Sequence, residues 1–447
     1  MLTTRFLGFA LLVPALLILS ALLPPLAPAA ILLFIGLIVI LFVDRAAAGK
    51  PDQFIIERVH DSKLSLGAAN LITITVESRA QRPVAITVRD EVPLLFVGSE
   101  ADNTTHTRII MPRTPTEITY YVRPVRRGDF EFGDMNLRYA SPAGLYTRQA
   151  TIPAAVPVKV YPNLYEMRKY DLLVRRDQLA EMGLRNVRMR GEGSSFESLR
   201  EYSQGDPYRS INWKATARRG KPISTDYEPE RSQRVMVLLD VGRMMRSPIR
   251  VDDPDGISWN MAKIDFVLNS VLLFSYVASL KGDQVGMLVF ADRVVQYIAP
   301  GAGRNQFHKL LETMYALQSE PVEADYGRAL AFLRTQSKKR SLVVLFTDLS
   351  GLRASESLTT HVPRLMPRHL PVVVTIRDPA LDDEANQPLH TSDAVYRKAV
   401  AEQLIDERRI LLDTLKRRGV LTLDVAAEHL TMSVVNQYLQ LKARQYL

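Results

Sequence analysis

Residues 188–231, RMRGEGSSFESLREYSQGDPYRSINWKATARRGKPISTDYEPER, concentrate the side chains most able to do chemistry. Glu192, Glu197 and Asp206 are carboxylates of the kind that serve as general acids and bases, a role that requires a pocket to shift their pKa values. Arg209, Lys214, Arg218, Arg219 and Lys221 form a basic block without an intervening acid, and Asp226, Glu228 and Glu230 follow it. In so dense a mixture ion pairing explains the acids more simply than catalysis does, whereas the basic block suits an acidic partner. Asp240 and Asp348 close two apolar runs, VMVLLD and LFTD, and would stand at the carboxyl ends of strands, where open α/β sheets bind their ligands. The chain has no cysteine and 7 histidines, which excludes a thiol nucleophile or a disulfide and leaves only scattered residues for zinc. No Ser-His-Asp order, P-loop or dinucleotide fingerprint occurs, and Gly301, Ala302, Gly303 and Arg304 make only a short turn before a helix.

The elements around these residues fall into four stretches: 1–50, 53–163, 164–231 and 232–447. Of the 447 residues 47% are hydrophobic and 23% charged, the balance of a folded chain with a membrane contribution. Residues 6–23 carry no charge, and a second apolar run, residues 29–43, follows the tight PPLAP turn and ends at Asp44 and Arg45. Each lies near the lower limit of about 17 residues for a membrane-spanning helix. A hairpin of two such helices is expected, with Arg5 at one end and Arg45 and Lys50 at the other, so that both ends lie in the cytoplasm. The alternative is a signal peptide cleaved near Ala27, Pro28 and Ala29, after which the second run would still anchor the chain.

Residues 53–162 change to alternating β-branched segments, among them LITITVES, VAITVRDEV and EITYYVRPV, separated by turns such as Arg127-Gly128-Asp129. This is the pattern of an antiparallel sandwich, either a binding module or a spacer. Beyond the charged stretch the chain alternates strand and helix. Strands are expected at 234–241, 284–290, 341–347, 371–376 and 420–424, with helices near 257–280, 304–318, 325–337 and 393–416 and one at the end. Continuous apolar strands separated by helices indicate a parallel sheet covered on both faces, a doubly wound α/β domain. Asp283, in KGDQVGMLVF, is expected to form the turn before a strand. The stretch 188–231 is too rich in Gly, Ser and charge for a core element and reads as an ordered connector. Ser194 or Ser195 could cap a short helix with Glu197 as its capping-box acid. Ile211 and Trp213 alternate as if anchoring one face of an extended segment, so Trp213 is expected to be buried. The formal charge of +9 suits an anionic surface, but no aromatic-basic repeat of a nucleic-acid module is present.

The segments GEGSSFESLREY and GDPYRSINWKATAR, with the strand RVMVLLDVGRMM after them, resemble the hallmark of the bacterial domain-of-unknown-function family 58. The resemblance implies a membrane hairpin, a β-rich region and a von Willebrand factor A-like domain, and it supplies no enzymatic reaction. Such A domains hold a divalent cation on an Asp-x-Ser-x-Ser loop, a Thr from a second loop and an Asp from a third. Asp240 and Asp348 match the first and last of these, but Gly242 and Met244 stand where the serines belong and Ala324 where the threonine belongs. Mg²⁺ demands near-octahedral oxygen ligation that Met and Ala do not offer, so no cofactor is expected unless Asp325 substitutes. The two aspartates are expected instead to cap loops or to pair with Arg243 or Lys221.

Members of the family often accompany MoxR-type AAA+ ATPases. The resulting expectation is a non-enzymatic adaptor at the cytoplasmic membrane, with such an ATPase, other membrane or envelope proteins and the lipid bilayer as partners. A hydrolase using Glu192, Glu197 or Asp206 and a metal-dependent adhesion receptor are the alternatives.

Overall fold

The computed structural model describes residues 1–97, 101–175, 195–203, 208, 211–228, 232–252, 258–349, 352–388 and 392–444. Two compact units divide the chain, Met1–Tyr161 and Pro162–Leu447.

The first unit begins with apolar helices at Thr4–Ala10, Leu12–Leu19 and Leu26–Ala47. The last is 22 residues long, which at about 1.5 Å per residue exceeds the roughly 30 Å of a bilayer core. The path is interrupted at Leu11 because Pro14 has no N–H to offer the carbonyl of Ala10 and its ring crowds that carbonyl. Asp44, near the end of the long helix, is buried and tied to one turn of the β region. It accepts from the Ser141 hydroxyl, from the Ala143 N–H at 2.7 Å and from the Leu145 N–H at 3.1 Å.

The β region contains two antiparallel four-stranded sheets and a three-stranded one. Alternation of buried and exposed residues along Thr116–Pro124 and Val84–Asp90 gives each four-stranded sheet one apolar face. These faces meet across Phe54 and Tyr139, whose rings lie edge to face 4.9 Å apart. The sheets are also joined through charge. Arg58 of one strand forms a fork with Asp90 of the other sheet, and Arg58 further donates to the carbonyls of Ala154 and Gly133 at 2.9 and 2.8 Å. The Tyr120 hydroxyl completes the set by donating to Asp90 at 2.6 Å.

In the second unit six strands form one sheet: β1 (Arg234–Asp240), β2 (Gln284–Phe290), β3 (Val294–Gly301), β4 (Leu342–Thr347), β5 (Leu370–Arg377) and β6 (Leu421–Ala426). Their spatial order is β3-β2-β1-β4-β5-β6. All neighbours are parallel except the antiparallel pair β2 and β3. Strands β1 and β4 are buried along nearly their whole length, hence their unbroken apolar sequences. The helix Lys263–Leu280 is apolar around its circumference because it is buried on most sides, Phe274 meeting Tyr438 of the helix Leu430–Ala443 edge to face at 5.3 Å. It begins later than its composition suggests, since Ser258–Ala262 pairs instead with Pro248–Asp252 as a hairpin. Asp283 does more than turn the chain: it accepts from the Gln233 N–H at 2.9 Å and from the Tyr438 hydroxyl, and it pairs with the buried Lys442.

The Arg58 and Asp90 side chains are 2% and 0% exposed, so removing either partner strands a buried charge. Asp90→Ala is expected to destabilise the first unit by about 3–5 kcal/mol. Tyr120→Phe, which removes one bond to a charged acceptor, is expected to cost about 1.5–3 kcal/mol. Chemical denaturation of the solubilised chain, followed by tyrosine fluorescence, checks both, and equal losses would contradict the ranking.

Candidate functional site

The order β3-β2-β1-β4-β5-β6 reverses direction between β1 and β4, and Asp240 ends β1 while Asp348 follows β4. The two sequence-predicted aspartates therefore come together at the switch point, where loops diverge and leave a crevice. Both are buried, at 3% and 2% exposure.

Three internal donors serve Asp240. The Gly242 N–H reaches Oδ1 at 2.8 Å, while the Thr347 and Tyr326 hydroxyls reach Oδ2 at 2.7 and 3.0 Å. Burial pushes the Asp240 carboxyl above its usual value, against the hydrogen bonds from Thr347, Gly242 and Tyr326. Burial and then the Asp240 charge hold the Tyr326 hydroxyl well above its ordinary range, so it stays a donor.

Asp348 is served by cations. Lys263 Nζ donates to Oδ2 at 2.8 Å and Arg408 Nη1 to Oδ1 at 3.4 Å. Lys263 Nζ also lies 3.5 Å from Asp378 Oδ2. Arg408 continues outward through Nη2, which donates to Asp424 at 2.6 Å and to the Ile376 carbonyl at 2.8 Å, and Thr375 donates to the same Asp424 oxygen at 2.7 Å. This chain of alternating charge reaches the surface at a cleft of about 200 Å³ lined by Arg377, Asp378, Leu404, Arg408, Arg409 and Asp424.

The expected partners of the aspartates are thus corrected. Arg243 pairs with Glu323 and Lys221 with Glu201, each at 3.3 Å on the surface. The loop-capping role is present at Asp240. Asp325 caps the helix Tyr326–Gln336, accepting from the Arg328 N–H at 2.9 Å.

The cation implied by the resemblance does not fit these residues. A Cβ at Gly242 would stand 3.0 Å from both Asp240 Oδ1 and the Val322 carbonyl, so even the methylene of a serine is crowded there. Met244 and Ala324 present no oxygen side chain, and the Asp348 oxygens already hold Lys263 and Arg408. Among the described residues no group of three or more His, Asp or Glu is placed to hold a metal. Lys263, Arg408, Tyr326 and Thr347 were not picked out by sequence reasoning. One signal was available: Lys263 and Asp265 are the only charged residues in an otherwise apolar and neutral helix.

The hallmark stretch folds as a small module. Ser195–Glu201 pairs antiparallel with Ile223–Glu228, so a strand replaces the short helix expected from Ser194. Between them lies the helix Trp213–Arg219, whose N-cap Asn212 accepts from the Ala215 N–H at 3.0 Å and which ends at Gly220 with φ 68°. The helix is fastened by Thr216, whose hydroxyl accepts from the Ile223 N–H at 3.0 Å. The apolar anchor expected of Trp213 is absent: its side chain is 70% exposed, and Tyr208 is 80% exposed. Lys214, Arg218, Arg219 and Lys221 are exposed as well. Arg209, Glu192 and Asp206 lie outside the described residues, as does the side chain of Glu197.

Two measurements follow from this geometry. For a carboxyl raised in the folded state, the unfolded chain loses its proton first, so stability falls as pH rises above the ordinary aspartate value of 3.8. The stability of the parent minus that of Asp240→Asn is therefore expected to shrink as pH rises through that window, and a difference that grows instead reverses the sign. Trp213→Ala is expected to leave the unfolding free energy within about 0.5 kcal/mol, as surface substitutions do. A loss of several kcal/mol in calorimetry would restore a buried role.

Residues 198–388 match the family described as "Protein of unknown function DUF58". The chain is 25% identical over 183 residues to "Uncharacterized protein YeaD" of Bacillus subtilis (strain 168), which covers 40% of this chain and 46% of the relative. It is 23% identical over 163 residues to "Uncharacterized protein Rv1480" of Mycobacterium tuberculosis, 36% of this chain and 49% of that one. The chain thus spans about half the length of the curated relatives it matches. Among solved structures it is similar to conserved hypothetical protein BatB from Bacteroides thetaiotaomicron, with a TM-score of 0.30 and 12% identity over 47% of this chain and 99% of that chain. The matched region holds the last residues of the first hallmark strand, the basic helix, both strand-end aspartates and Lys263, so the likeness to the DUF58 family lies in residues 198–388.

Proposed function

We propose that the chain is a membrane-anchored, non-enzymatic adaptor that presents the hallmark module to an acidic partner, a MoxR-type AAA+ ATPase being the class implied by the family resemblance. The observation that carries this reading is the helix Trp213–Arg219, where an exposed tryptophan stands among exposed Lys214, Arg218 and Arg219. Trp and Arg dominate the energetics of protein interfaces, and a solvent-exposed Trp within a basic cluster is suited to an acidic surface with an apolar centre.

Within this proposal the second unit is von Willebrand factor A-like, a reading supported by its strand order and its antiparallel edge strand β3. The helices Thr4–Leu19 and Leu26–Ala47 form a hairpin in the cytoplasmic membrane with Arg5, Arg45 and Lys50 on the cytoplasmic side. Other membrane or envelope proteins are the assemblies it serves. A non-enzymatic role is favoured because the buried switch-point carboxylates are saturated by internal donors.

The chain is to be extracted from native membranes with and without nucleotide, and the co-purifying proteins identified by mass spectrometry. An AAA+ ATPase is expected in the eluate. Arg218→Glu combined with Arg219→Glu is expected to leave the Tm unchanged and to lower ATPase recovery roughly tenfold, about 1.4 kcal/mol. The effect is expected to be larger at low salt, since exposed charges are screened over about 8 Å at physiological ionic strength. Unfolding of the double variant would make these arginines internal ion-pair partners, and unchanged recovery would move the surface to the switch-point loops.

A further inference from the structure

Lys263 is placed where a lysine is least expected. It is the first residue of the helix Lys263–Leu280, so its charge lies at the positive end of the helix dipole, and its side chain is only 5% exposed. An ammonium is compact and strongly hydrated, and burying it is unfavourable unless carboxylates replace the water. Asp348 at 2.8 Å and Asp378 at 3.5 Å do so, and the side chain of Asp348 is itself 1% exposed. Two carboxylates converging on one point at the carboxyl ends of a parallel sheet are also what a hard divalent ion needs, since Mg²⁺ is commonly bound through one or two carboxylates plus water.

We propose that Lys263 is a tethered cation that takes the place of a divalent ion between Asp348 and Asp378, making the switch point a metal-independent site with a latent metal site beneath the lysine. The ammonium uses the oxygens that an ion would require. Arg408 takes the remaining oxygen of Asp348, and Gly242, Thr347 and Tyr326 occupy those of Asp240, so neither strand-end aspartate has an oxygen to spare. Lysine supplies one positive charge where an ion would supply two, and Arg408 supplies the second, shared with Asp424. Because both cations are covalently part of the fold, chelators and changes in ion concentration leave the arrangement intact. Removing the lysine side chain opens a space of ammonium size between two carboxylates and lets Mg²⁺ or Mn²⁺ enter with its own water. This inference concerns the buried end of the sheet and does not depend on the identity of the partner.

The test uses the full chain in detergent and compares parent, Lys263→Ala, and Lys263→Ala combined with Asp348→Asn. Melting is followed in MgCl₂ and in NaCl at equal ionic strength. The parent is expected to melt at the same temperature in both salts. Lys263→Ala is expected to melt lower and to regain roughly 5–10 °C in MgCl₂, the shift given by a site of about 100 µM affinity at hundredfold excess. The double variant is expected to lose that recovery, because its second carboxylate is gone. A Lys263→Ala protein that responds to MgCl₂ no more than to NaCl overturns the proposal, and so does one that stays unfolded at every MgCl₂ concentration. A second measurement needs no variant: Mn²⁺ titration of the parent by electron paramagnetic resonance is expected to show no saturable site, and stoichiometric binding tighter than about 100 µM would overturn the proposal independently.

Discussion

Charge buried at the end of a parallel sheet has to be neutralised within the fold, and in the second unit that requirement determines which elements stand next to one another. Asp348 follows β4, and its two oxygens draw in Lys263 from the helix Lys263–Leu280 and Arg408 from the helix Ser392–Arg417. Arg408 then fixes the ends of β5 and β6 through the Ile376 carbonyl and Asp424. A single carboxylate thereby sets the relation of two helices and three strands. On the other side of the switch point Asp240 binds the loop after β1, through Gly242, to Tyr326 and to β4 through Thr347. Low dielectric strengthens such fully satisfied networks and makes any vacancy in them severe.

The same condition separates the two regions from which function could have been argued. At the switch point polar groups are consumed by one another, whereas on the hallmark helix they face water. A seven-residue helix held by Asn212, Thr216 and Gly220 needs no apolar face of its own, which leaves Trp213 exposed. Lys214, Arg218 and Arg219 are exposed on the same helix.

Much of the second unit was legible because β1, β4 and β5 are buried on both faces and so read as unbroken apolar runs, β1 ending in Asp240, β4 followed at once by Asp348 and β5 ending in Arg377. The edge strand β3 was not, because VVQYIAPG is half exposed and contains Pro300, the signature of an edge rather than a core strand. Pairing of Ser258–Ala262 with Pro248–Asp252 overrides a helical pattern that begins earlier in the sequence. The missing cation ligands could be read from Gly242, Met244 and Ala324. Their replacement could not, since Lys263 and Arg408 lie 85 and 60 residues from Asp348 and only the tertiary fold joins them. Trp213 was misjudged for a simpler reason: alternation with Ile211 suggested an extended segment, while the chain turns helical at Trp213 itself.

The tie at Asp44 has a mechanical meaning. Three donors from the single turn Ser141–Leu145 converge on one carboxylate at the end of the long apolar helix, and Gly49, five residues on, accepts from Tyr139 at 3.1 Å and Arg148 at 2.6 Å. A flexible tether would let the β region sample a hemisphere around its attachment point. A clamped joint transmits torque instead, so that tilting the helix swings the sheets with it, and the β region behaves as the arm of a lever hinged at Asp44.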